Sequence, residues 1–231
     1  MKTKRKRSIL LLMILLMILS PVLLTRLQEA FSIRVACVGD SITYGVKIQD
    51  KFLHSYPAQL QQLLGGHYLV KNFGASGYAL QKNANFPYWD HPNFQESCDF
   101  QPDIVLIMLG TNDTKPYNWT GVDPFLSDLE DMVTHYQTLD SHPEIYLMTP
   151  ATVFTSQLKL NTPYKMQEDI ADIISQEILS FGEEHQIPVI DIHETTRTHP
   201  EYFLLDGIHP DRAGAEAIAR NAFSVIRKYS N

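Results

Sequence analysis

The chain has 231 residues, 44% of them apolar, a size that suits one α/β domain with a core of its own. Nineteen basic and 26 acidic residues give a formal charge of −7; the first thirty residues hold six of the basic and one of the acidic, so the remainder carries 13 against 25, a net of −12. So acidic a body lacks the basic patches that a phosphate backbone requires, which argues against nucleic acid as a partner.

In chain order, the first feature is a basic start, "KTKRKR", followed by an apolar stretch from Ile9 to Leu24 broken only by Ser20 and Pro21. At about 1.5 Å per residue this stretch spans ~24 Å as a helix, short of the ~30 Å hydrocarbon core, which favours a signal peptide over a lasting anchor. Gln28 before Ala30 departs from the small-x-small cleavage pattern, and no cysteine follows closely to carry a lipid. Residues 1–30 are therefore expected to be a signal peptide or an N-terminal membrane anchor, and residues 31–231 the working domain. The body is expected to be exported, either secreted or held at the outer face of the cytoplasmic membrane, with any membrane contact made through the N-terminal segment if it stays uncleaved.

Five apolar runs follow: Ile33–Val38, Tyr68–Asn72, Ile104–Leu109, Ile145–Met148 and Pro188–Ile192. Between and after them lie segments with helical spacing of apolar residues, Tyr56–Leu64, Phe125–Leu139, Met166–Phe181 and Arg212–Tyr229. Strands alternating with helices predict a parallel sheet covered on both faces. Two long irregular pieces, Gln81–Gln101 and Pro150–Tyr164, follow strands and are expected to overhang the ligand edge of the sheet. An exported protein could pair its two cysteines, Cys37 and Cys98, but Cys37 lies within the first run, where it reads as a small buried hydrophobe.

Special residues collect where strands end. The first run leads into "GDS", Gly39 to Ser41; the second into "NFGASG", with Gly74 and Gly77; the third into "GTND", Gly110 to Asp113; the fifth, after a short connection, into "DGIHP", Asp206 to Pro210. All belong to the edge where open α/β sheets bind ligands. Asp206 and His209 stand three apart in a turn that Gly207 can bend, a spacing that lets the carboxylate hold one ring nitrogen of His209 and leave the other for Ser41. A serine hydroxyl is a poor nucleophile until such a base takes its proton. Asp40, Asp113 and Asp191 are rival acids near strand ends; the local spacing to His209 favours Asp206. Gly74, by allowing close backbone approach, and Asn112, by its amide, are candidates to hold an oxyanion. His193 and His199 lack metal-ligand spacing, so no metal is expected, and acyl transfer of this kind needs no cofactor.

Ser41, Gly74, Asn112 and His209, in order and in these contexts, resemble the four signature blocks of the SGNH (GDSL) hydrolase superfamily, from Ile33 to the C-terminus, with Ile42 in place of the usual leucine. The resemblance implies a flavodoxin-like three-layer α/β/α sandwich with five parallel strands, and a catalytic triad of Ser41, Asp206 and His209. It also implies an oxyanion hole made of the Ser41 and Gly74 N–H groups and Asn112. "FPYWD" and "KPYNW" are similar to the carbohydrate and sialate O-acetylesterase branch, and their rings, Tyr88, Trp89, Tyr117 and Trp119, are candidates to stack on a sugar. The expectation is an exported serine esterase for small acyl, chiefly acetyl, esters on carbohydrate. The alternatives are a lysophospholipase or acyl thioesterase of the same fold, and a non-catalytic carbohydrate-binding protein. "NDT" and "NWT" at Asn112 and Asn118 also read as glycosylation sequons; because sugar on Asn112 would block the site, they point either to burial of the sequon or to a host that does not glycosylate.

Overall fold

A computed structural model of the chain describes residues 31–155 and 165–229. Residues 1–30 and 156–164, and with them the leader and much of the expected Pro150–Tyr164 loop, lie outside the described residues.

Five strands form the sheet: β1 (Ile33–Gly39), β2 (Tyr68–Gly74), β3 (Ile104–Met108), β4 (Glu144–Met148) and β5 (Val189–Ile190). They lie in the order β2-β1-β3-β4-β5, and every pair is parallel. The helices, in chain order, are α1 (Ser41–Tyr44), α2 (Lys51–His54), α3 (Tyr56–Leu64), α4 (Pro92–Asp99), α5 (Val122–Gln137), α6 (Glu168–His185), α7 (Ile192–Thr196) and α8 (Arg212–Tyr229).

The two-residue period of a strand explains the three layers. Val35 and Cys37 of β1 point to one face, where they pack with Tyr56 and Leu60 of α3 and with Ile218, Ala222 and Ile226 of α8. Ala36 and Val38 point to the other face, against Phe125, Leu129 and Met132 of α5 and Ile174 and Ile178 of α6. Each Leu, Ile or Phe buried this way stabilises the fold by about 1.5–3 kcal/mol. Apolar residues three and four apart seat α6, and Glu168 and Asp169 in its first turn suit the positive end of the helix dipole. The sheet also lies between the two cysteines: Cys37 belongs to the first face and Cys98 to the second, and both are free thiols. Burial pushes the Cys37 thiol up to about 12, against a smaller downward pull from Tyr56.

The sequence expectations need correction in three places. The piece Gln81–Gln101 is not irregular, because Tyr88–Asp90 forms a 3-10 turn and α4 follows, its Pro92 at the start and its His91 ring accepting the Asn93 N–H at 3.1 Å. Nor does this piece overhang the ligand edge as a whole, since α4 packs on the face of β1 and β2. β2 runs two residues past the apolar run, and β5 is cut to two residues because Asp191 caps α7 through the Glu194 N–H at 2.9 Å. Among the described residues no helix is long and apolar enough to cross a membrane.

Candidate active site

The register sets Gly39 of β1 between Gly74 of β2 and Met108 of β3. A Cβ on Gly39 would stand 2.6 Å from the Met108 carbonyl oxygen, and one on Gly74 would stand 2.2 Å from the Tyr44 backbone nitrogen. These two glycines let α1 sit directly on the strand ends. Asp40 caps that helix by accepting the Ile42 N–H at 2.9 Å, and Ser41 is its first residue.

The "DGIHP" turn shapes itself in the same way. Asp206 Oδ1 accepts the N–H groups of Ile208 and His209, each at 3.0 Å, and Gly207 takes a left-handed φ of 66°. Asp206 Oδ2 is then 2.8 Å from His209 Nδ1, and His209 Nε2 is 3.0 Å from Ser41 Oγ. All three residues are buried. Burial alone would raise the Asp206 carboxyl, but donation from the His209 N–H, Lys47, the His209 ring and the Ile208 N–H outweighs it and holds the group well below the ordinary carboxylate range. Lys47 is a partner that sequence reasoning passed over: its Nζ lies 2.5 Å from Asp206 Oδ2, across 159 positions of chain.

The rival acids have other work. Asp40 caps α1, and Asp191 caps α7 while accepting the Thr149 hydroxyl at 3.0 Å. Asp113 is fully buried and accepts the N–H groups of Leu80 and Gln81 at 2.9 and 2.8 Å, which pins the chain leaving β2. Burial pushes Asp113 up to about 6, with the two N–H bonds pulling down and Asp40 adding to the rise.

The oxyanion donors divide. Asn112 is buried and gives one amide hydrogen to the Tyr78 carbonyl at 2.9 Å; an amide carries two, so one is left for a ligand. The Gly74 N–H does not present itself as expected: it donates to Asn72 Oδ1 at 2.9 Å, because Gly74 is the last residue of the strand and not the first of the loop. From there Ala75 donates to the Gly39 carbonyl at 2.8 Å, and the chain runs on past the end of β1 to Gly77, which has φ 91° and lies next to the Tyr78 carbonyl that Asn112 grips. The pair of glycines in "GASG" was the available signal; the extra length of β2 decides between them.

The aromatic expectation fails at Tyr88. Tyr88 is 0% exposed and its hydroxyl donates to the Phe73 carbonyl at 2.7 Å. Trp89 donates to the Leu80 carbonyl at 2.9 Å and packs on Phe94, with ring centroids 5.0 Å apart. Trp119 packs on Phe125 at 6.1 Å. Tyr88 fills the second face of the sheet, whereas Trp89 and Trp119 are half-buried and pack against that cluster. Tyr117, 56% exposed, remains available. Both sequon asparagines, Asn112 and Asn118, are buried, with no room for a glycan in the folded protein. His193 pairs with Asp172 at 3.0 Å and His199 with Glu201 at 2.7 Å; among the described residues no group of three or more His, Cys, Asp or Glu could hold a metal ion.

An acetylxylan esterase of Xylanibacter ruminicola is 34% identical over 213 residues, which cover 85% of this chain and 43% of the relative. An uncharacterized esterase of Bacillus subtilis is 29% identical over 142 residues, 54% of this chain and 34% of its own. The chain thus spans less than half the length of these two curated relatives. Among solved structures, a carbohydrate acetylesterase family member from Sinorhizobium meliloti superposes with a TM-score of 0.68 at 21% identity, over 84% of this chain and 97% of that one. The aryl esterase of M. smegmatis superposes with a TM-score of 0.66 at 19% identity, over 84% and 98%. At these identities the two structures speak for the fold. The GDSL-like lipase/acylhydrolase family model matches residues 37–217, from inside β1 into α8, and the chain belongs to that family.

Proposed function

We propose that this protein is an exported serine esterase that removes acetyl and other short acyl groups from carbohydrate. One observation carries the catalytic part: Ser41 Oγ, His209 Nε2, His209 Nδ1 and Asp206 Oδ2 form a buried relay with steps of 3.0 and 2.8 Å. In this reading Ser41 Oγ attacks the ester carbonyl carbon as its proton passes to His209 Nε2. The tetrahedral intermediate collapses, the C–O bond to the alcohol breaks, and His209 returns the proton to the leaving oxygen. Water then attacks the acyl-enzyme, gives a proton to His209, and releases the carboxylic acid with Ser41 restored. The negative oxygen is held by the Ser41 N–H, the second Asn112 amide hydrogen and the Gly77 N–H, the last in the role that sequence reasoning gave to Gly74. Asp206 stays ionised throughout, as its depressed pKa requires.

The choice of acetyl esters on carbohydrate is supported by the similarity to an acetylxylan esterase. The longer-acyl alternative lacks such support: a hollow of about 430 Å³ next to Tyr44 is lined by none of Ser41, Asn112, Asp206 and His209. Hydrolysis of p-nitrophenyl acetate, butyrate and octanoate, with acetate release from acetylated xylan alongside, separates the two. The expected result is a rate highest on acetate and lost by at least about 10³-fold in Ser41→Ala. A rate that climbs toward octanoate would transfer the reading to a lysophospholipase or thioesterase. Export rests on the basic and apolar residues 1–30; cell fractionation with N-terminal sequencing of the mature chain tests it.

A further inference from the structure

We propose that Lys47 is a positioning residue of this site: its ammonium, held on the same carboxylate oxygen that receives the His209 ring, ties the nucleophile's turn to the acid–base turn and sets the pH range in which the relay works. The proposal rests on the triad reading above.

The backbone delivers Lys47 to this place by a local device. α1 stops after four residues at Gly45, φ 80°, and the N–H groups of Gly45 and Val46 both donate to the Ser41 carbonyl at 3.0 Å. The chain therefore doubles back along the short helix, and Lys47 itself takes a left-handed φ of 62°, uncommon for a residue with a side chain. From there its ammonium reaches across to Asp206, whose side chain is 8% exposed against 47% for that of Lys47. Asp206 consequently has each oxygen doubly occupied: Oδ1 by the Ile208 and His209 N–H groups, Oδ2 by His209 Nδ1 and Lys47 Nζ. A carboxylate so held cannot swing, and the His209 ring is fixed with it.

The electrostatic consequence follows from the charges. When His209 takes the Ser41 proton, Asp206 stabilises the imidazolium, and a second positive charge on the same oxygen lessens that stabilisation. Other charges around the ring do not cancel the effect. Buried Asp40, at the start of α1, faces His209 and Lys115 as well, and stays in place when Lys47 is changed. Asp211, next along the turn, is directed to the Gly214 N–H at 2.9 Å.

The test uses the full chain as wild type, Lys47→Met, Lys47→Gly, Lys47→Arg and Ser41→Ala, with kcat and KM for p-nitrophenyl acetate measured from about pH 5 to 9. Glycine adopts the left-handed φ freely, so Lys47→Gly removes the ammonium without backbone strain should the methionine variant fold poorly. The expected result is an acidic limb of kcat/KM that moves upward by about 0.5–1 pH unit in Lys47→Met and Lys47→Gly, with KM unchanged within about twofold. Lys47→Arg keeps the charge and keeps the limb within about 0.2 unit of wild type. A limb that does not move in either neutral variant overturns the proposal, even if kcat falls, because a clamp without electrostatic effect would lower the plateau alone. An inert wild type, or a Ser41→Ala as fast as wild type, fails at an earlier step and removes the triad reading and this proposal together.

Discussion

Ser41 can be aimed at His209 because two short stretches fix their own backbone before they meet. Asp40 caps the helix that Ser41 begins, and Asp206 caps its own turn through two N–H groups, so neither side chain has to be held by distant packing. Asn112 is a different kind of residue, placed by its bond to the Tyr78 carbonyl and by burial. Its replacement by alanine is expected to lower kcat by about 10²–10³ while KM changes little, since the lost donor acts on charge that develops during the reaction; steady-state kinetics checks this. Tyr88 gives the opposite expectation. Tyr88→Phe loses the bond to the Phe73 carbonyl and about 1 kcal/mol of stability, read from urea unfolding, with kcat/KM unchanged. A rise in KM for an acetylated sugar would return Tyr88 to the substrate. At this scale the contact between Asp206 and His209 was legible because the two are local to each other, whereas the fate of a ring in "FPYWD" depends on what covers it.

Among the elements, the ends of β1 and β2 matter most to the site, since α1 rests on them without room for a side chain. Gly74→Ala places a Cβ 2.2 Å from the Tyr44 nitrogen. It is expected to destabilise the fold by at least about 2 kcal/mol and to lower kcat/KM by displacing Ser41. Gly77→Ala meets nothing within 4 Å, so it suffers only the strain of φ 91°, about 1 kcal/mol. The pair of unfolding curves ranks the two. Elements with strong periodicity are legible closely, α8 at its bounds Arg212–Tyr229. α4 was missed because "PNFQESCD" has few apolar residues and its helical state is set by Pro92, the His91 cap and the sheet face beneath. The extra residues of β2 come from pairing with β1, whose Val38 and Gly39 supply partners for Phe73 and Gly74.

The whole molecule places three charged groups, Asp40, Asp113 and Lys115, in buried positions behind the active site. Burial raises both carboxyls and lowers the lysine, with each charge partly restoring its neighbours. The consequence for stability has a definite sign. Asp113 titrates near 6 when folded against 3.8 otherwise, so its contribution is fully present below pH 3.8 and is lost as pH rises through about 6. At about 1.4 kcal/mol per unit, that is on the order of 3 kcal/mol. Asp206, shifted down, does the reverse: its contribution is present above the ordinary carboxylate value and is lost as pH falls below it. The free energy of urea unfolding is therefore expected to be greatest near pH 4, to decline as pH rises through about 6, and to level off toward neutrality. Asp113→Asn is expected to flatten that decline, whatever its effect on absolute stability. An unfolding free energy that rises from pH 5 to 7.5 in wild type would contradict the raised Asp113.

By itself the sequence determined the class of fold and the sheet edge at which the candidate residues gather. Burial of both faces makes a parallel strand apolar throughout, and parallel pairing brings every strand's C-terminal end to one edge, where Ser41 and Asn112 follow β1 and β3 within a few residues. What only the tertiary structure decided was the outcome of contacts between segments with no local link. Lys47 meets Asp206 across 159 positions, Gly74 is absorbed into β2, Tyr88 turns into the core while Trp89 and Trp119 lie half-buried against it, and the sheet separates Cys37 from Cys98. Periodicity and turn chemistry act within a few residues. Which donor reaches which oxygen is settled by register and packing over the whole chain.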